Sequence, residues 1–188
     1  MAKDFPALPG FYNLLFLHLE PVSTVLPALV VWFYPGAAWF HHQLVPSEIP
    51  TPLTGTLEPR AEMAIWQLGS CFFLLGLLSS LVFRAVRDAI PNDPIVQERI
   101  LGASFTALAI ADVIHIAVTI IGLPYDLRYD PLKWNSLTHG NITAVIVLLS
   151  VRGKSQPFFI RLAWFAGIGR ETYYYGVKAT EGKGNKKA

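Results

Sequence analysis

The chain has 188 residues, of which 53% are hydrophobic and 15% charged, against a usual charged fraction of about 25%; that composition excludes an ordinary soluble domain and favours a membrane protein. The net charge is only +2 and Lys and Arg gather towards the C-terminus, with no basic face interleaved with stacking aromatics, which excludes nucleic acid as a partner. Cys71 is the single cysteine, which excludes an intrachain disulfide.

In chain order, "MAKDFPALPG" lacks the basic, apolar and small-residue pattern of a removable signal peptide. The first apolar segment, about Phe11 to Tyr34, is long enough to cross a bilayer and carries Glu20. Pro21 follows the acid and removes a backbone donor, so the carbonyl of Leu17 loses its usual helical partner. The stretch from Pro35 to Arg60 holds five prolines and is expected to be an extended connection, either passive or a lid. Met63 to Phe83 is a second span without a charge. "DAIPNDP" reads as a turn. A third span, Ile100 to Leu123, contains Asp112 and His115. A fourth, roughly Pro131 to Val151, carries Lys133, Asn135, His139 and Asn141 in its first half. It spans only if those groups face other helices.

These segments predict an all-α membrane protein, a four-transmembrane-helix bundle. With four spans, twelve of the fifteen Lys and Arg fall on one side. The positive-inside rule makes that side, and both termini, cytosolic. Residues 1–152 form the expected catalytic bundle. Residues 153–188 form an aromatic, basic segment and a solvated tail. Phe158, Leu162 and Phe165 follow helical spacing, as an interfacial helix would require.

Polar groups recur at matching depth. Counting at ~1.5 Å per residue from the same side, Glu20, Ser70, Asp112 and Asn141 all lie roughly 13–20 Å in. Gln67, His115 and His139 lie beyond them. This layer predicts a shared pocket near the midplane. Ser70, Gln67, Asn135 and Asn141 fit equally well as polar contacts between helices. Glu20 and Asp112 differ, because a carboxylate at the centre of a span costs about 2.5–3.5 kcal/mol. No Lys or Arg in the four spans shares their depth, so a structural ion pair is not expected.

A low-dielectric pocket favours the neutral form of an unpaired acid. Two such acids in different surroundings divide into donor and base. Asp112 has His115 one turn away to hold it as a base, whereas Glu20 has no evident partner and is the expected proton donor. The opposite assignment stays open. Such a pair suits epoxide opening or double-bond migration on a lipophilic molecule. The Glu, Asp and His spacing matches no metal site of known geometry, so no metal or cofactor is expected.

"FYNLLFLHLEPVS", "ADVIHIAV" and "KWNSLTHGN" together resemble a group of small fungal integral-membrane epoxide hydrolases and cyclases. These act in polyketide mycotoxin pathways of the aurovertin, asteltoxin and citreoviridin type. The four-span layout is also similar to the emopamil-binding-protein (EXPERA) superfamily. The resemblance covers about residues 11–152. It implies a multi-pass protein, with the endoplasmic reticulum as the expected location, that opens epoxides of a polyene polyketide. It also implies a site lined by Glu20, Asp112, His115, Trp134, Asn135 and Asn141. Phe16 and Trp66 would serve as apolar walls, with Ser70 and His139 nearby. The expected partners are a lipophilic substrate, membrane lipids and a second copy of the chain. Two alternatives are a sterol-type double-bond isomerase and a non-catalytic bundle that grips a lipid or amine.

Overall fold

The computed structural model describes residues 5–48, 55–146, 151–153, 156–158 and 160–175. The first helix, α1 (Phe11–Trp32), begins after Gly10, whose φ of 54° is open to glycine at little cost. It is not uniform. Leu15–Leu19 form a π turn in which the Glu20 N–H reaches back to the Leu15 carbonyl. Such turns insert one extra residue and re-aim the side chains that follow. The Leu17 carbonyl, deprived of a donor by Pro21, accepts instead from Arg84 Nη2 at 3.1 Å. The sequence therefore located the vacancy, and a side chain from another helix fills it.

The loop expected to be extended contains a helix, α2 (Ala37–Gln43), after a cis Tyr34–Pro35 peptide. Phe40 buries itself against Val31 and Ile65, and that apolar contact holds the helix in place. The next two helices are longer than hydropathy alone suggests. The first of them, α3 (Pro59–Ala89), is started by Glu58, whose side chain accepts from the N–H groups of Arg60 and Ala61 at 3.0 and 3.2 Å. The following one, α4 (Pro94–Gly122), is capped by Asp93, which accepts from Val96 N–H at 3.0 Å. Both place proline in the first turn, where its missing N–H costs no hydrogen bond. The early start of α4 puts Glu98 inside the helix, and Arg170 compensates it there.

A short helix, α5 (Tyr125–Arg128), and a 3₁₀ turn (Pro131–Lys133) lead to α6 (Ser136–His139), which continues into a π turn at Gly140–Ala144. Helix thus begins at Ser136 and not near Pro131, because the Asn135 side chain caps it by accepting from Thr138 N–H at 2.8 Å. Residues 147–150 of the expected fourth span lie outside the described residues. Beyond them β1 (Val151–Gly153) and β2 (Gln156–Phe158) pair as a small antiparallel ladder, and α7 (Ile160–Phe165) follows.

Among the described residues α1, α3 and α4 are the helices long and apolar enough to cross a membrane. The chain is a helical membrane protein. Two cores lie at opposite ends. One gathers Phe5, Leu8, Phe16, Phe83, Phe105 and Trp164. The other gathers Val31, Ala37, Phe40 and Ile65. Between them α4 is sparsely covered, with 6% of its most apolar window buried. Val113, Ile114, Val118 and Ile121 face outward, as a lipid-facing stripe would.

The tightest helix crossing is between α1 and α3. A Cβ on Gly76 would sit 2.6 Å from Val25 Cγ2 and 3.0 Å from the Pro21 carbonyl oxygen. The carbonyl is backbone and cannot swing away. Gly76→Ala is therefore expected to destabilise the bundle by about 1–3 kcal/mol, read as a lowered unfolding midpoint in detergent. An unchanged midpoint would show that the two helices separate freely at this level.

Candidate functional site

Glu20 leaves α1 directly after the π turn, and Asp112 leaves α4 beyond its well-packed first half. Both carboxylates point at one guanidinium, that of Arg161 on α7. Arg161 Nη2 donates to Glu20 Oε1 at 2.9 Å, and Nη1 donates to Asp112 Oδ2. Side-chain exposure is 10% for Arg161, 14% for Glu20 and 24% for Asp112. The two acids therefore share a planar fork whose neighbouring nitrogens fix their positions relative to each other. Arg161 Nε is buried and has no hydrogen-bond partner among the described residues.

This arrangement corrects the expectation that no cation reaches the acids. None of the spans supplies one. It comes from the segment after them, which was expected to lie flat at the interface. Ile160, Arg161 and Trp164 are buried, while Leu162 of the expected apolar stripe is exposed. The segment is held on several sides. Trp164 Nε1 donates to the Ala7 carbonyl at 2.8 Å, and Tyr12 Oη donates to the Ile168 carbonyl at 2.7 Å. Arg170 stacks over the Trp164 indole at 4.1 Å and pairs with Glu98 at 2.5 Å. Glu98 also accepts from the N–H groups of Tyr173 and Tyr174. Both partners of this second ion pair have fully buried side chains. It anchors residues 160–175 to the start of α4 and so sets the reach of Arg161. The signal was present in "PFFIRLAWFAGIG": an arginine with apolar neighbours on both sides has little water to point into.

His115 stays within electrostatic reach of Asp112 but makes no hydrogen bond to it among the described residues. Its ring packs edge-on against Phe72, with 6.4 Å between centroids. The remaining expected site residues do not converge on the acids. Ser70 donates to the Trp66 carbonyl of its own helix at 3.1 Å, and both residues are exposed on α3. Phe16 belongs to the core, tilted against Phe105 with ring centroids 4.3 Å apart. Asn135 caps α6 and donates to the Gln43 carbonyl at 2.8 Å. Trp134 donates to the Leu127 carbonyl at 2.7 Å and packs against the ring of His139, which bonds Thr143. These contacts fasten the α2, α5 and α6 end of the bundle. Asn141 is half-buried in the π turn that packs beside α4. Of the expected polar layer, Glu20 and Asp112 meet at Arg161, whereas Ser70 bonds within its own helix.

Such a helical membrane bundle, with two acids sharing one arginine, defines a class by architecture and charge. The chain belongs to the family described as Domain of unknown function (DUF7704), which matches residues 5–156. Glu20 and Asp112 lie inside the matched stretch, and Arg161 lies just beyond it. No curated protein and no solved structure matches the chain.

Removing one member of a buried charge cluster strands the others. Arg161→Leu is expected to cost about 3–5 kcal/mol of stability. The triple variant with Glu20→Gln and Asp112→Asn should recover most of it; equal midpoints for single and triple variants would refute the triad. Glu98→Ala should loosen the anchor, and trypsin should then cleave after Arg161 and Arg170 faster than in the parent chain. Unchanged cleavage would show that the anchor does not hold the segment.

Proposed function

We propose that this protein is a membrane-embedded, cofactor-independent epoxide hydrolase or cyclase acting on a lipophilic polyene polyketide. The observation that carries the reading is the meeting of Glu20 and Asp112, from different spans, at one guanidinium. Two carboxylates and one arginine leave a single negative charge. One proton balances it, so the neutral state of the cluster contains one carboxylic acid, one carboxylate and the guanidinium. Those are a general acid and a general base held side by side.

The proton balance closes without a further reagent. The acid transfers its proton to the epoxide oxygen as the carbon–oxygen bond breaks. The carboxylate takes a proton from the attacking water or substrate hydroxyl. After one turnover the two acids have exchanged roles. Arg161 touches both, so it stabilises the carboxylate on either side and serves as a positioning residue. Buried ion clusters are weak evidence of stabilisation, since apolar replacements are often as stable, and this favours a chemical role. An amine-binding role fits less well, because a cationic ligand would compete with Arg161 for the same oxygens. The resemblance supplies the substrate class. With a fourth span at about Pro131 to Val151, the positive-inside count supports cytosolic termini, and the endoplasmic reticulum is the location that goes with the resemblance.

The test uses a synthetic polyene mono-epoxide presented in micelles to the purified protein in ¹⁸O-labelled water. Diol with one label, or an unlabelled cyclic ether, is the expected product. Glu20→Gln and Asp112→Asn should each lower the rate by about 10²–10⁴-fold. Parental rates in either variant would reject the mechanism. Double-bond migration in a Δ8-sterol probe, with the epoxide untouched, would reassign the same acids to isomerisation.

A further inference from the structure

Between α3 and α4 the two helices part and leave a cavity of about 300 Å³, at the lower end of the range of roughly 300–1,000 Å³ for ligand pockets. From α3 it is lined by Leu75, Leu78, Ser79, Val82 and Phe83, and from α4 by Ser104, Ala107, Leu108 and Ala111. Aromatic contacts between the same two helices mark its ends. Phe83 meets Phe105 edge-on with 5.5 Å between centroids, and Phe72 meets His115 with 6.4 Å between them. Ala107 and Ala111 are too short to fill the space between these crossbars. Leu108 and Ala111 stand one turn and one residue before Asp112 on α4. Gly76, beside Leu75 on α3, touches Pro21, the residue after Glu20. Both walls therefore continue into the elements that carry the acids.

The lining holds two hydroxyls. That of Ser104 is committed to the Ile100 carbonyl of its own helix at 3.1 Å. Ser79 is only 7% exposed and lines the cavity, and its hydroxyl makes no hydrogen bond among the described residues. A hydroxyl that opens into a cavity is free to donate to or accept from a group placed there. In an otherwise hydrocarbon cavity it marks where a ligand oxygen would sit.

We infer that the α3/α4 cavity is a binding site for an extended hydrocarbon chain bearing one hydroxyl, carbonyl or ether oxygen, with Ser79 meeting that oxygen. The inference deepens the epoxide reading by giving the substrate's chain a seat beside the acids. Bulk lipid accounts for the apolar walls but not for the open hydroxyl, since the hydrocarbon part of an acyl tail carries no oxygen.

The probe is parinaric alcohol, a conjugated tetraene with one hydroxyl and no epoxide, titrated into the purified full-length protein in detergent and followed by transfer from tryptophan. Saturable binding is expected. Ala107→Phe and Ala111→Leu, which fill the cavity from an exposed helix face, should each weaken it about tenfold. Ser79→Ala should weaken it about fivefold while leaving the corresponding tetraene hydrocarbon unaffected. Non-saturable partitioning, or cavity-filling variants that bind like the parent, would overturn the inference. So would equal losses for alcohol and hydrocarbon on Ser79→Ala. Because the probe cannot react, binding without epoxide turnover would sink the catalytic reading alone. Epoxide turnover untouched by Ala107→Phe would sink the cavity alone.

Discussion

One guanidinium holds carboxylates from two helices long and apolar enough to cross a membrane, and it joins them where apolar packing is thin. Apolar packing ends early on α4: Leu101 and Phe105 are buried, but few residues beyond them are. Past that point Asp112 ties the helix to α7 through Arg161. Hydrophobic attraction cannot supply that tie, because in lipid an exposed valine or isoleucine gains nothing by turning inward. A directional, charge-assisted hydrogen bond can, and Arg161 provides two, one to each acid.

Arg161 is held by structure that lies far away in sequence. The Glu98–Arg170 pair, the Trp164 indole and the two backbone acceptors on Ala7 and Ile168 fix the 160–175 segment. Through them α7 places its arginine between α1 and α4. The π turn at Leu15–Leu19 contributes from the other side by re-aiming Glu20. The helix carrying Glu20 is locked to α3 by the glycine contact at Gly76 and by Arg84 on the Leu17 carbonyl. One positive charge thus fills a backbone vacancy made by proline, and another balances the acid beside it.

The importance of Glu20 and Asp112 was legible in the sequence, because an acid inside an apolar run is costly and therefore conspicuous. Their similar depth was legible too, since helical rise converts residue number into height. The identity of their partner was not. A search along the spans looks for counter-charges at matching height, whereas Arg161 arrives on a short helix after the spans, at a height set by tertiary contacts. His115 misled for a related reason. Spacing of three places two side chains on one helix face, but it does not decide which of them a third element will reach. Asn135 caps a helix and Ser70 bonds back to its own, and such contacts use the same polar groups that chemistry does. Helix boundaries moved where caps overrode hydropathy, at Glu58, Asp93 and Asn135. The short α2 was hidden by the prolines on either side of it, since an apolar contact at Phe40 decides its fold.

The order of the chain gives the Arg161 bridge a temporal side. A ribosome delivers Glu20 first, Asp112 some ninety residues later, and Arg161 only after both. Each acid therefore precedes its counter-ion in the order of synthesis, and the hydrogen bonds that join the two acids through one guanidinium form only when α7 has been made and has docked.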